Sequence, residues 1–283
     1  MGRVLSVAFG QLRWSADPER NLERSVALAE EGFARGADVV ILPELAVPGY
    51  TTDHEALTRS AEELDGPAIR AWQQVAAAHD GYIAAGFCER AGDRLFDSAA
   101  LVSGDGVLTH YRKTHLFAAE KTVFTPGDLG LPVVTTARAS FGLCICYDLR
   151  FVEVMRILAL QGAEVILVPS AWVAGFDRGA FANTDLPGQV AGVLVQANLN
   201  QVFVAAVSFA GPGDGLEFLG RSVVAGPYGD ALAGPAPPDR ECVLLATVDL
   251  DQVGEAGQRA TLITPRQDRR HDVYSVTYLG RNL

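Results

Sequence analysis

Ser140-Phe-Gly-Leu-Cys-Ile-Cys146-Tyr-Asp-Leu-Arg-Phe151 is the stretch that decides how this chain is read. Its first half is an apolar, strand-like run. A helical pattern follows over about 151–161, and Val165–Val168 is a second apolar run, so the whole reads as a strand–helix–strand unit. Cys146 falls at the end of the first strand. A thiol there, followed by backbone N–H groups leading into a helix, is placed for nucleophilic work: the helix end favours thiolate, and the N–H groups can receive a developing oxyanion. Two other reactive residues stand in comparable places. Glu44 closes Val39-Val-Ile-Leu-Pro-Glu44, and Lys113 closes Val107-Leu-Thr-His-Tyr-Arg-Lys113. An acid, an amine and a thiol, each where a strand stops, imply an enzyme.

Outward from this unit, strand and helix signals alternate. Val4–Phe9 reads as a strand, and Asp17-Pro18 is a cap with proline at the first helical position. Leu22, Val26, Ala29 and Phe33 then predict one buried helical face, ended by Gly36. Gly66-Pro67 opens a helix with Ile69, Trp72, Val75 and Ala76 inward. Strands follow near Tyr82–Phe87, Ser98–Val102 and Val107–Arg112, the last two joined by a Gly104-Asp-Gly turn. A later helix ends near Asn198 before a strand over Val202–Phe209, and Leu219–Ala225 and Cys242–Val248 are the last strands. Gly234-Pro-Ala-Pro-Pro-Asp239 is short enough for a surface loop. One domain over 1–283, of α/β class with interior-type strands, implies sheets covered by helices.

The bulk composition sets limits. The 283 residues are 49% hydrophobic and 20% charged, which suits a sizeable core and argues against global disorder. With 34 acidic against 23 basic residues the net charge is −11, the wrong sign for a nucleic-acid partner. No apolar run reaches the roughly 18 residues of a membrane span, and the first residues do not read as a signal peptide. Four scattered cysteines do not make a disulfide framework, so the expectation is a cytoplasmic protein. Cys144 and Cys88 read as core packing, and Cys144-Ile-Cys146 has no second ligand pair for zinc.

A free cysteine is mostly protonated at neutral pH and needs a base or a cationic neighbour. His110 and His115 lie near a strand end, so a Cys–His pair stays open on chemistry alone; Glu44 with Lys113 is the other solution. Taken singly, Glu44 reads equally well as a structural carboxylate, Lys113 as a surface charge and Cys146 as a small core residue. Arg150 reads more readily as a structural ion pair than as a substrate contact.

The residues, taken in order, resemble the nitrilase superfamily of carbon–nitrogen hydrolases. The resemblance is carried by Leu42-Pro-Glu44-Leu with Pro48-Gly-Tyr50, Tyr111-Arg-Lys113-Thr-His-Leu-Phe117, Phe124-Thr-Pro-Gly-Asp128 and Ile145–Phe151. Gly162-Ala-Glu-Val-Ile166, Pro169-Ser-Ala-Trp172, Phe218-Leu-Gly-Arg-Ser222 and Arg269-Arg270 before Tyr274 extend it along nearly the whole chain. It implies a four-layer α-β-β-α sandwich and a Glu-Lys-Cys triad with no metal or organic cofactor. Glu44 becomes the general base and acid, Lys113 the cation facing the oxyanion, and Cys146 the nucleophile. Glu120 resembles the family's second glutamate, which orients the lysine or the substrate, and the Tyr147 N–H would complete the oxyanion hole. Tyr50 and Trp172 are candidate substrate contacts, read equally as core or rim aromatics.

The chain also departs from the pattern. Val152 stands where relatives carry proline, and Gln196 and Leu199 replace an arginine and a glutamate, as if a charge pair had been exchanged as a unit. The segment from Trp172 to Pro187 is unlike that of relatives and is expected to wall the pocket. Tyr147-Asp148 resembles the amidase-type branches, so the expected reaction is hydrolysis of a small carboxamide through a cysteine thioester. A nitrilase and an N-carbamoyl hydrolase use the same triad, and a catalytically silent binding subunit is the alternative from another class. A homodimer or higher homo-oligomer is expected, with the tail from about Thr264 reaching a neighbouring subunit.

Overall fold

The computed structural model describes residues 2–175 and 186–283. Much of the expected pocket wall between Trp172 and Pro187 therefore lies outside the described residues. The first half of the chain runs β1 (Val4–Gln11), α1 (Pro18–Ala34), β2 (Val39–Ile41), α2 (His54–Ser60), α3 (Pro67–His79), β3 (Tyr82–Ala91), β4 (Arg94–Ser103) and β5 (Gly106–Arg112). The second half runs β6 (Val133–Thr135), β7 (Ser140–Leu143), α4 (Val152–Leu160), β8 (Val165–Pro169), α5 (Gly188–Asn200), β9 (Phe203–Val207), β10 (Ala210–Gly213), β11 (Leu216–Leu219), β12 (Val223–Ala225) and β13 (Ala231–Ala233). β14 (Cys242–Asp249) then returns to the first sheet, followed by α6 (Asp251–Gly257).

Two six-stranded sheets result, in the orders β14-β1-β2-β3-β4-β5 and β13-β12-β9-β8-β7-β6. Each has three parallel strands at its centre (β1, β2, β3 and β7, β8, β9) flanked by antiparallel neighbours. The period of two along a strand sorts the side chains. Leu5, Val7 and Phe9 of β1 join Val39 and Ile41 in one core with Val165–Val168 and Phe203–Val207 of the other sheet. Ala8, Val40 and Leu42 turn the other way, onto Leu28 of α1 and Trp72 of α3. With α4 and α5 packed on β7 and β9, the layers are helix, sheet, sheet, helix, the four-layer sandwich expected.

Several expectations need adjustment. α1 is capped by Asp17, whose side chain accepts from the Glu19 and Arg20 N–H groups, but its buried face is rotated. Leu22 and Val26 are half-buried, whereas Asn21 and Ser25 are buried. Those polar residues tolerate burial because each is paired: Asn21 donates to the Ser15 and Pro48 carbonyls, and Ser25 accepts from the Trp72 indole at 2.9 Å. The strand expected over Leu219–Ala225 divides into β11 and β12 because Gly220 and Arg221 both adopt φ +57°. The short α2, with Leu57 alone buried, had no periodic signal to find.

One close approach fixes the site's position. A Cβ on Gly86 of β3 would lie 2.5 Å from the Leu45 nitrogen and 2.6 Å from the Glu44 Cα. Only glycine lets the Glu44 loop lie directly on β3, where the Gly86 N–H donates to the Pro43 carbonyl at 3.0 Å. We predict that Gly86→Ala lowers the thermal midpoint by roughly 2–10 °C, because overpacking against backbone costs about 1–3 kcal/mol. Calorimetry checks this, and an unchanged midpoint would remove the close-packing argument.

Candidate active site

The loops at the ends of the first sheet's strands deliver three buried charged groups to one point. Glu44 follows β2, in a turn where Leu45 takes φ +44°, and is fully buried. Lys113 follows β5; its N–H donates to the Asp97 carbonyl at 2.8 Å and its carbonyl accepts from Gly127 at 2.9 Å. Glu120 sits in a 3-10 turn, Ala118–Thr122, and its Oε2 accepts from the Phe117 N–H at 2.7 Å.

Their side chains converge on the Lys113 ammonium. Nζ donates to Glu44 Oε1 and to both Glu120 oxygens, at 2.9 and 2.7 Å. It also lies 3.2 Å from Oδ2 of Asp97. Burial alone would lower the lysine pKa, but Glu44, Glu120 and Asp97 overcome it and hold the ammonium charged, well above its ordinary range. The Glu44, Asp97 and Glu120 oxygens are close enough together to hold a cation, and Lys113 supplies that charge.

Cys146 comes from the second sheet. It takes φ +44° at the head of a five-residue 3-10 turn, Cys146–Arg150, and α4 begins only at Val152. This corrects the expected helix-stabilised thiolate. Burial and the Glu44 charge push the thiol pKa well above its usual value, opposed by Lys113 and by a hydrogen bond from the Ala171 N–H.

Asp148 holds this turn in shape. Its buried carboxylate accepts from the Ile145 N–H (3.0 Å), the Tyr111 hydroxyl (2.9 Å) and the His115 N–H (3.2 Å), and pairs with His115 Nδ1 at 2.8 Å. His115 also stacks on Phe151 at 3.6 Å, so it braces the Cys146 turn; the charges coupled to the thiol belong to Glu44, Lys113 and Glu120.

Cys146 opens onto a cavity of about 80 Å³ lined by Phe117, Tyr147, Leu149, Trp172 and Gln189. A single water needs only about 10–15 Å³ on this measure, so there is room for a small organic group. Tyr50 is absent from that wall. It stands behind Glu120, to which its hydroxyl donates at 2.7 Å, and burial keeps that hydroxyl protonated. Gln196 and Leu199 prove not to be one interior unit. Gln196 is buried and donates to the Leu149 carbonyl at 3.3 Å, while Leu199 faces outward. On the cavity side of α5, a Cβ at Gly192 would meet nothing nearer, among the described residues, than Leu149 Cδ2 at 4.0 Å.

Asp97 was missed, and Asp148, noted only beside Tyr147 as an amidase-type signature, was not foreseen as the brace of the Cys146 turn. Asp97, next to Ser98, interrupts the apolar run Leu95-Phe-Asp-Ser-Ala-Ala-Leu101, and a carboxyl inside a buried strand was the available signal.

The chain matches the carbon-nitrogen hydrolase family over residues 6–258 and belongs to it. It is similar to a nitrilase of Pyrococcus abyssi, at 34% identity over 87% of this chain and 90% of that protein. It is 30% identical to the N-carbamoylputrescine amidase of Solanum tuberosum, over 97% and 95% of the two chains. Among solved structures it resembles a variant of an amidase from Nesterenkonia sp. AN1, with TM-score 0.78 and 26% identity over 95% of this chain and 98% of that one. In that structure acrylamide has undergone Michael addition at the active-site cysteine. Among the described residues no helix is long and apolar enough to cross a membrane.

The thiol environment yields a titration prediction. Thiolate absorbance at Cys146, measured against Cys146→Ala, should rise with a midpoint above the usual value of about 8.5. Because the Glu44 charge disfavours thiolate, Glu44→Gln should move the midpoint down; an upward move contradicts the electrostatic account.

Proposed function

We propose that this chain is a thiol-dependent amidase, hydrolysing a small carboxamide to a carboxylic acid and ammonia. The observation that carries the reading is the buried Lys113 ammonium, held by carboxylates beside a thiol at the mouth of a small, largely apolar cavity. Sγ of Cys146 attacks the amide carbon while its proton passes to Glu44. The carbonyl oxygen gains charge opposite Lys113 Nζ and the Tyr147 N–H. The C–N bond then breaks, and the nitrogen leaves as ammonia with the proton from Glu44. A water gives a proton to Glu44 and attacks the thioester carbon; that proton returns to the sulfur as the acid departs.

Glu120 holds the lysine by two hydrogen bonds and is itself fixed by Tyr50 and Phe117. Trp172 and Tyr147 flank the acyl group in this reading. No step calls for a metal or organic cofactor. A reduced Cys146 suits the cytoplasm. The names of the relatives keep two further substrates in view, a nitrile and an N-carbamoyl compound, served by the same residues.

Ammonia release from a panel of short aliphatic and aryl amides, nitriles and N-carbamoyl compounds tests the reading. We expect turnover of an amide that falls by at least about 10³-fold in Cys146→Ala. Turnover of nitriles or N-carbamoyl compounds alone would replace the substrate and keep the thiol. Turnover of nothing would favour a binding role.

We also infer that the chain pairs with a second copy through the outer face of α4 and α5. Val152, Val195 and Leu199 are exposed there, and Tyr274 of the C-terminal tail lies near Leu199 and is half exposed. Sedimentation velocity should give a dimer, and Leu199→Glu should shift it toward monomer. A wild-type monomer at micromolar concentration would end this proposal.

A further inference from the structure

The cluster around Lys113 carries more acid than its one ammonium balances. Glu44, Glu120 and Asp97 all lie within ion-pair distance of Nζ, and none is more than 1% exposed. Fully ionised, the four groups would hold a net charge of minus two without water, which a protein interior resists by keeping a proton. Hydrogen bonding indicates where that proton sits. Glu120 is supplied with donors: Lys113 twice, the Tyr50 hydroxyl and the Phe117 N–H. Asp97 has none. Both of its oxygens, and Oε2 of Glu44, lack a hydrogen-bond partner among the described residues. Two facing acceptors cannot pair unless one carries hydrogen.

We propose that Asp97 is a positioning residue for the hydrolysis, carrying a proton in the resting enzyme and donating it as a hydrogen bond to Glu44. This rests on Glu44 acting as the base. Asp97 keeps its proton through the cycle; it orients the Glu44 carboxylate and removes one negative charge from the three carboxyl groups that share one ammonium. Burial raises the Glu120 carboxyl pKa as well, opposed by Lys113, but Glu120 already has four hydrogen-bond donors and Asp97 has none among the described residues. Burial and the Glu44 charge raise the Asp97 pKa well above the usual carboxylate value, with Glu120 adding to the rise and Lys113 opposing it. Cys88, opposite Asp97 on β3, is a buried thiol whose pKa is also raised, so it adds no charge. The next residue along β3, Glu89, is engaged by Arg112 and Ser98.

Infrared spectroscopy of the wild-type enzyme at neutral pH, with and without ¹³C-labelled aspartate, tests the proton directly and needs no substrate. We expect the carbonyl stretch of a protonated carboxylic acid that shifts on labelling and is absent from Asp97→Asn. No such band, or a band retained in Asp97→Asn, overturns the proposal. Kinetics supply the second readout. Asp97→Asn keeps a neutral donor and should hold kcat within about tenfold, whereas Asp97→Leu should lose a further 10- to 100-fold in kcat with little change in KM, matching one unsatisfied buried acceptor. Equal losses in the two variants, or none in Asp97→Leu, would overturn it. Should Asp97→Leu not fold, the infrared band and Asp97→Asn decide. A wild-type band with no turnover of any carbon–nitrogen substrate would count against the amidase reading and leave the protonation of Asp97 standing.

Discussion

The pairing of one ammonium with three buried carboxyl groups is the constraint on which the rest of the structure depends. A lysine taken out of water is unstable as a cation unless opposite charge replaces its hydration. Lys113 meets this condition through Glu44 from the loop after β2 and Glu120 from the turn after β5, with the Asp97 carboxyl of β4 beside them. At an effective dielectric near 20 each close pair is worth roughly 4–5 kcal/mol before desolvation is charged against it. Such sums favour the charged state only while the distances hold, so the surrounding backbone must be stiff. Gly86 lets the Glu44 loop lie on β3. Gly127, where a Cβ would lie 1.9 Å from the Arg112 carbonyl oxygen, does the same for the Lys113 turn. These glycines act on the chemistry by controlling how closely two backbones approach.

Much of this was legible in the sequence, and the reasons it was or was not are physical. Glu44, Lys113 and Cys146 stood out because each ends a strand-like run, where a polar side chain must be either solvated or engaged. The central strands and the helices α1, α3 and α4 were legible because their apolar periodicity is strong. The three-residue strands β6 and β13 carry too few side chains to form a pattern. The phase of α1 was misread because two of its deepest residues, Asn21 and Ser25, are polar, and their partners lie elsewhere in the chain. Tyr50 was read equally as a substrate contact and as a core or rim aromatic; it is buried, and its hydroxyl serves Glu120, a pairing between residues seventy positions apart. Cys146 was expected at a helix end; its left-handed backbone and the Asp148 bracket left no trace in periodicity.

The two sheets divide the labour. Glu44, Lys113, Asp97 and Glu120 belong to the half that builds the first sheet, and they form a rigid, dry electrostatic unit. Cys146 belongs to the second half, on a turn tied by Asp148 to Tyr111 and His115 of the first. That tie crosses between the halves beside the thiol and the carboxylate, so its hydrogen bonds help set the relative position of Cys146 and Glu44.

The cavity wall has a different owner from the charges. Trp172, Leu149, Gln189 and Gly192 lie in the segments after β8 and β7 and in α5, none of which contributes an acidic or ammonium group to the Lys113 cluster. Among the described residues Gly192 has only Leu149 at 4.0 Å before it, so a methyl group added there would narrow the cavity without displacing any charged group of the Lys113 cluster. Under the proposed reaction, acyl preference and bond cleavage are separable traits in this chain. A lineage could exchange one acyl group for another by drift along α5, while selection on the buried ammonium held the reaction constant.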